Sequence, residues 1–583
     1  MTDRAGVGAD EELESEPRVA VEPVGAPSAD LVEAAAYDAH GTFDAVPAAP
    51  LVVVSAGAVA WVAAVAAFLL LRLPVIWQAP VGGAEWVHLS GAWQASIGTG
   101  GERFAGTLFQ AITALLLNIW SSETAPRILA YLATATVPLA LYRLRPRIGD
   151  AGALLALSLL AIDGPGILLG TTATAMAFDI AVCVWIYYAL TRDWIADWAW
   201  VAVGLAVALS GPLVLPLASA FAIYTLLTRD REYGRGGLFA LAGVLLGVAI
   251  ASSGYGTGNA GLNIPPFTLF ADSFSQQWSS IGLFDLTAIY GVALVLGGIV
   301  AAMWALREMV LERDYDSETS LLLAWAGVAL LWFLSSLGEN TMAPLVALTV
   351  PLAMLTGPAL ARAIPAMIDA DWMYARALLP FSLVMFGIAG AYLIKWAMVL
   401  HAGDASSKGV VIGVTISGLA AIALVAANQR SLPTVLSIAL IAGAFPTLSG
   451  AFGIGLSSSQ EPLPSPVSPS QARELRDIAL DNIATNGGSV VVHPRFEELV
   501  TWPFRESGDF VIASIPPPEA QVLIWPAEAP KPEGFVPVDG NWTLERVIPS
   551  PAQSFLRYVR WFADRNSLVI NTEGVAVYTR ATP

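Results

Sequence analysis

Glu85, His88 and Ser96 lie in Ala84-Glu-Trp-Val-His-Leu-Ser-Gly-Ala-Trp-Gln-Ala-Ser96, whose pattern predicts a short helix just beyond the first long apolar run. At 100° per residue Glu85, His88, Ala92 and Ser96 share one sector, and Trp86, Leu89, Trp93 and Ile97 the adjacent one. The first sector offers a carboxylate, an imidazole and a hydroxyl to the protein. The second suits a bilayer interface, where tryptophan is enriched. A carboxylate so placed can act as a general base, taking the proton of an attacking hydroxyl. The plainer alternative is that Glu85 complements a helix N-terminus and His88 rests in the interface.

Asp179 is the second acid of interest, because it falls well within the apolar stretch 167–190, where ionisable groups face a bundle interior or a watery cavity. It could shape a ligand cavity or hold a cation; equally, it could bond to hydroxyls such as those of Thr171 and Thr174. Asp163, in Ile-Asp-Gly-Pro-Gly, reads as a turn residue that caps the next helix. The loop 252–280 carries Asp272 and Trp278 among Gly, Pro and aromatic residues, a composition that fits a lid as well as a packed loop. His493 and the run Trp502-Pro-Phe-Arg505 could meet a sugar, although a core role explains them equally well. No phosphate-cradling glycine loop, zinc motif or nucleophile elbow occurs.

The elements that must position these residues are membrane spans. Hydrophobic residues make up 56 % of the chain and charged residues 13 %, which excludes an ordinary soluble domain. Thirteen spans are expected, at 51–72, 127–142, 150–163, 167–190, 196–210, 212–227, 236–253, 283–306, 319–337, 343–360, 377–399, 409–427 and 432–453. Residues 104–120 form one further apolar segment. If it does not cross, twelve arginines, among them Arg143, Arg145, Arg147 and Arg362, gather on one side, against Arg72, Arg103, Arg127, Lys395 and Lys408 on the other. The positive-inside rule then makes 104–120 a juxtamembrane helix and places the N-terminus in the cytoplasm and the C-terminus outside.

Residues 1–48 hold eleven acids against Arg4 and Arg18, a net charge of −9 and half of the chain's −18. They are expected to be a disordered acidic cytoplasmic tail with no cleavable signal, and their charge disfavours nucleic acid or anionic lipid as a partner. The single cysteine, Cys183, excludes an intrachain disulfide and a thiolate zinc site. After the spanning region (49–455) comes a Pro/Ser linker at 456–470, then a small α/β domain at 471–583. In the latter, helices are expected at 471–486 and 552–566, with strands near 489–493, 509–515, 521–525, 567–571 and 575–579. The fold class is thus an all-α polytopic bundle with a small extracytoplasmic α/β domain.

The order of these segments resembles the GT-C superfamily of integral-membrane glycosyltransferases that use polyprenyl-phosphate sugars, in its aminoarabinose-transferase and protein-mannosyltransferase-like branch. Ala84-Glu85-Trp86 and its helix stand where that family has an Asp-Glu motif. Residues 108–120 with Thr124-Ala-Pro-Arg127 look like its juxtamembrane helix and the start of its second span. Ser210-Gly211-Pro212 looks like its Lys-Gly-Pro turn, and residues 339–357 like the approach to its Leu-Pro helix. The resemblance implies a multi-pass plasma-membrane enzyme that moves a sugar, with inversion, from a lipid-linked donor to an envelope acceptor on the outer face. Glu85 would be the base, Asp179 and His88 would line the donor cavity, Arg103 or Arg127 would meet the phosphate, and a divalent cation is possible. Ala84 and Ser210 replace the family's first acid and its lysine. These departures leave a second reading, a non-catalytic relative that binds or assembles envelope components.

Overall fold

The computed structural model describes residues 55–79, 81, 84–98, 104–192, 196–228, 231–256, 261–272, 283–312, 316–336, 341–368, 432–457, 469–497, 502, 504–505, 510–538, 540, 542–548 and 569–581. The acidic tail, the expected spans 377–399 and 409–427, nearly all of the linker and the expected helix 552–566 lie outside them. So do Arg103, Trp278, Lys395 and Lys408.

Among the described residues, six stretches are long and apolar enough to cross a membrane: Ala56–Gln78, Thr124–Ile148, Gly234–Ser252, Val292–Leu311, Ser317–Ser335 and Ala343–Pro365. They correspond to six of the thirteen expected spans. The first comprises α1 (Ala56–Leu70) and α2 (Val75–Gln78); after it come α3 (Ala84–Ser96) and α4 (Leu108–Leu117). Helix α4 has ten residues and at 1.5 Å per residue reaches about 15 Å, half a bilayer's hydrocarbon thickness. It cannot cross alone. The Thr107 side chain accepts from the Gln110 amide and starts the helix cleanly.

Helices α5 (Thr124–Thr134) and α6 (Val137–Ile148) make the second long stretch, and α7 (Asp150–Ala161) returns beside it. The expected single span at 167–190 is in fact broken. A short α8 (Gly164–Leu169) stops at Gly170, residues 170–178 are irregular, and α9 (Asp179–Leu190) begins afresh. Thr171 and Thr172 allow this break, since hydroxyls compete for backbone carbonyls: Thr171 Oγ1 donates to Ile167 O and Thr172 Oγ1 to Leu168 O. Irregular backbone at membrane depth is tolerated only when protein covers it, and residues 170–177 are all buried.

Beyond it run α10 (Asp197–Leu209), α11 (Val214–Thr228), α12 (Arg231–Ser252) and α13 (Pro265–Asp272). Helices α10 and α12 touch backbone to backbone, because a Cβ on Gly204 would collide with the Ala240 carbonyl and one on Gly243 with that of Val201. Helices α14 (Leu283–Leu286) and α15 (Val292–Arg307) follow, joined by a π-helical turn at Thr287–Gly291; then come α16 (Ser317–Ser335), α17 (Ala343–Ile368) and α18 (Leu432–Ser457). Helix α17 packs on α7, α15, α16 and α18, with Leu345, Val346, Ala353 and Met354 wholly enclosed. One end of the bundle is tied by exposed ion pairs, Arg145–Asp150, Arg147–Glu318 and Arg362–Glu308.

The C-terminal domain begins with α19 (Pro469–Asn486), which Gly487 ends at φ +68°. Its sheet has the order β2 (Phe510–Ile512), β1 (Ser489–Val492), β3 (Ala520–Pro526), β6 (Val569–Arg580), β4 (Phe535–Pro537), and β5 (Trp542–Ile548) also pairs with β6. β1 is parallel to β2 and β3, whereas β6 is antiparallel to its partners. The two short strands expected at 567–571 and 575–579 are one, and β4 and β5 are additional to those expected. Leu475 and Ala479 of α19 form the domain's core with Val490, Val522, Ile524 and Val577 of the sheet.

Candidate functional site

Glu85 lies in the first turn of α3, and Arg127 in the first turn of α5. The two meet as a bidentate pair: Arg127 Nε donates to Glu85 Oε1 at 2.7 Å, and Nη2 to Oε2 at 2.7 Å. The remaining guanidinium nitrogen donates to the carbonyls of Ile76 (3.1 Å) and Ala79 (2.8 Å) where the first span ends. Glu85 Oε1 also accepts from the Ala173 amide at 2.8 Å, so the carboxylate satisfies a donor stranded by the break between α8 and α9. Glu85 is 3 % exposed and Arg127 2 %. A charge pair so enclosed persists because all three guanidinium nitrogens and both carboxylate oxygens are engaged.

Two further buried charged groups, Arg72 and Asp163, occupy the same end of the bundle. The Arg72 guanidinium stacks 3.6 Å from the Phe68 ring centroid and donates to Phe68 O and Leu160 O. It attracts Asp163, whose Oδ2 accepts from Thr349 Oγ1 at 2.8 Å. Leu160 lies near the far end of α7 from Asp150, so the buried charges and the exposed arginine pairs occupy opposite ends of that helix.

Asp179 is wholly buried and opens α9. Its Oδ1 accepts from Gly211 N at 2.7 Å and Oδ2 from Leu213 N at 3.1 Å. Its partners are therefore the backbone of the Ser-Gly-Pro turn before α11, rather than the hydroxyls of Thr171 or Thr174. Gly211 is needed there, since a Cβ would sit 2.6 Å from Asp179 Oδ2.

His88 is buried one turn after Glu85, its carbonyl accepts from Gln110 Nε2, and burial lowers its imidazole pKa to about 4. Ser96 donates to the Trp93 carbonyl of its own helix. The adjacent sector of α3 differs from expectation: Trp86 and Leu89 are covered by protein rather than laid on a bilayer interface. Asp272 ends α13 half-buried, and burial pushes its carboxyl pKa up. The lid candidate meets the segment before α4 through Asn263 Nδ2, which donates to Ala105 O, and Tyr255 OH, which donates to Gly106 O. Trp502 and Arg505 pack on α3 and the start of α5, whereas the His493 ring lies 4.8 Å from that of Trp525 within the terminal domain. Among the described residues no three His, Cys, Asp or Glu side chains converge as a metal site.

The structure thus joins Glu85 to Arg127, leaves Asp179 on a separate backbone turn, and adds Arg72, Asp163 and Thr349. Arg72 had a sequence signal as a cation at the end of a span and Asp163 as a turn residue, but their partners Leu160 and Thr349 come from segments far apart in the chain.

No protein-family model matches this chain, and no curated protein matches it. Two crystal structures of ArnT from Cupriavidus metallidurans are similar, one bound to undecaprenyl phosphate (14 % identity) and one in the apo state (15 %). Each match has a TM-score of 0.44 and covers 78 % of this chain and 85 % of the other. The chemistry of the site rests on this chain's own side chains.

Proposed function

We propose that this chain is an integral-membrane glycosyltransferase that moves a sugar from a polyprenyl-phosphate donor to an envelope acceptor, with its site at the Glu85–Arg127 end of the bundle. The supporting observation is the gathering of Arg72, Glu85, Arg127 and Asp163, all buried, at one end, with Glu85 and Arg127 in helix first turns and Arg72 and Asp163 on the turns between helices. Burying four charges is costly and is a mark of a working site in a membrane protein. On this reading the donor phosphate takes Arg127 from Glu85, since guanidinium binds phosphate and carboxylate with the same fork. The freed carboxylate accepts the acceptor's hydroxyl proton while that oxygen bonds to the sugar C1. The C1–O bond to phosphate breaks, and polyprenyl phosphate leaves with the electron pair, inverting C1. Asp179 fixes the turn bordering the site, and the outer loop with Asp272 closes over it. The N-terminus lies in the cytoplasm, the terminal domain outside, and lipid-linked sugar and membrane lipid are the partners.

One observation favours the second reading, a non-catalytic binding or assembly protein: both Glu85 oxygens are already engaged by Arg127 and Ala173. Sugar release from a polyprenyl-phosphate donor in detergent separates the two. Turnover by the purified chain supports the enzyme; donor binding without turnover supports the non-catalytic relative.

A further inference from the structure

Trp502 belongs to the terminal domain but is not part of that domain's core. It is 4 % exposed and lies in one apolar cluster with Leu89, Ala92, Ala173 and Ala177. Phe504, two residues on, turns the other way into the core of its own domain. Polar ties fix the intruding segment. Trp502 Nε1 donates to Glu123 Oε2 at 3.2 Å, and Trp93 Nε1 donates to Arg505 O at 3.2 Å. The Arg505 guanidinium lies 4.0 Å from the Trp502 ring centroid and donates to the Ser121 carbonyl.

This socket is the back wall of the buried ionic site. Leu89 and Ala92 lie one and two turns after Glu85 on α3. Glu123 accepts the Arg127 amide at the start of α5. Ala173 carries the amide that Glu85 holds. The α3 helix and the start of α5 therefore bond the Trp502–Arg505 segment directly, and Ala173 lies in the same apolar cluster as Trp502.

We propose that Trp502, braced by Arg505, is a positioning residue for the Glu85–Arg127 site: the terminal domain holds the α3 helix, the start of α5 and the Ala173 backbone in the paired arrangement. Withdrawal of the indole loosens all three together. The effect on turnover, but not the effect on local order, rests on the glycosyl-transfer reading.

The test uses the full-length protein in detergent, with Trp502→Ala and Trp502→Phe, read by amide hydrogen exchange and by sugar release from a polyprenyl-phosphate donor. Truncating a buried tryptophan is expected to speed exchange across residues 170–178 on the order of 100-fold. Residues 150–161 should be unchanged, and Trp502→Phe should fall between. Turnover in Trp502→Ala should drop at least roughly tenfold in kcat with the donor KM little moved. Unchanged exchange at 170–178, or equal acceleration at 150–161, overturns the proposal, as does loosening without any loss of an observed wild-type turnover. Absence of wild-type turnover sinks the glycosyl-transfer reading instead, and exchange alone then decides the positioning role.

Discussion

Glu85→Gln is the most informative single change, because the structure makes it both a catalytic and a structural perturbation. The amide keeps the shape, and its oxygen can still accept from Ala173. Its NH2, however, faces an Arg127 donor where a 2.7 Å bond to carboxylate oxygen had been. A buried guanidinium is left without its counter-charge, which costs about 3–5 kcal/mol. Arg127→Gln leaves the carboxylate uncompensated at a similar cost and also frees the carbonyls of Ile76 and Ala79, adding roughly 1 kcal/mol each. The double variant buries no unpaired charge, so it should be more stable than the sum of the singles by about 2–3 kcal/mol. Unfolding by sodium dodecyl sulfate in mixed micelles, followed by circular dichroism, measures all four proteins. If each single change costs under about 1 kcal/mol and the two add, the pair is as weak as a water-exposed one. A closed, saturated site is then wrong.

Burial of His88 gives the fold an acid sensitivity of definite sign. Its pKa is lowered from 6.5 to about 4, so between these values the unfolded chain binds more protons and stability rises with pH. The contribution is complete above pH 6.5 and lost as pH falls through 4, amounting to about 3 kcal/mol; unfolding midpoints of His88→Gln should lose this dependence. Gly204→Leu should separate α10 from α12, as a side chain there meets the Ala240 carbonyl, lowering the detergent melting temperature by several degrees. In a Cys183→Ser background, Arg145→Cys should be labelled by an impermeant thiol reagent only after the membrane is opened; labelling from outside would invert the proposed topology.

The sequence made the site's main acid visible but not its chemistry. Glu85 stands out because it follows a 21-residue uncharged run, whereas its pairing with Arg127 spans 42 positions and has no local signature. Arg127 itself was legible only as a cation free to meet phosphate. For Asp179 the local candidates were hydroxyls, yet the backbone of Gly211 and Leu213 takes the bonds, and that turn is more than thirty residues away. Hydropathy cannot see the break at residues 170–178, since threonine and alanine are apolar enough to continue a span and reveal themselves only by bonding to the preceding turn. Asn571-Thr-Glu-Gly574 reads as a turn between two strands, but β5 pairs with it along its whole length and keeps it extended. Leu89 looked lipid-facing because nothing in its own helix says that it will share an apolar cluster with Trp502, some four hundred residues later.

The most direct test of glycosyl transfer at this site is sugar release from a polyprenyl-phosphate donor by the purified protein, with Glu85→Gln assayed only on material that still elutes as a folded monodisperse species. A base that takes a proton in the transition state contributes about 10²–10⁴-fold. Wild type should therefore turn over, and folded Glu85→Gln should be slower by that factor while still binding donor. Equal turnover by Glu85→Gln would place the base elsewhere, and a wild type that binds no donor would contradict the account outright.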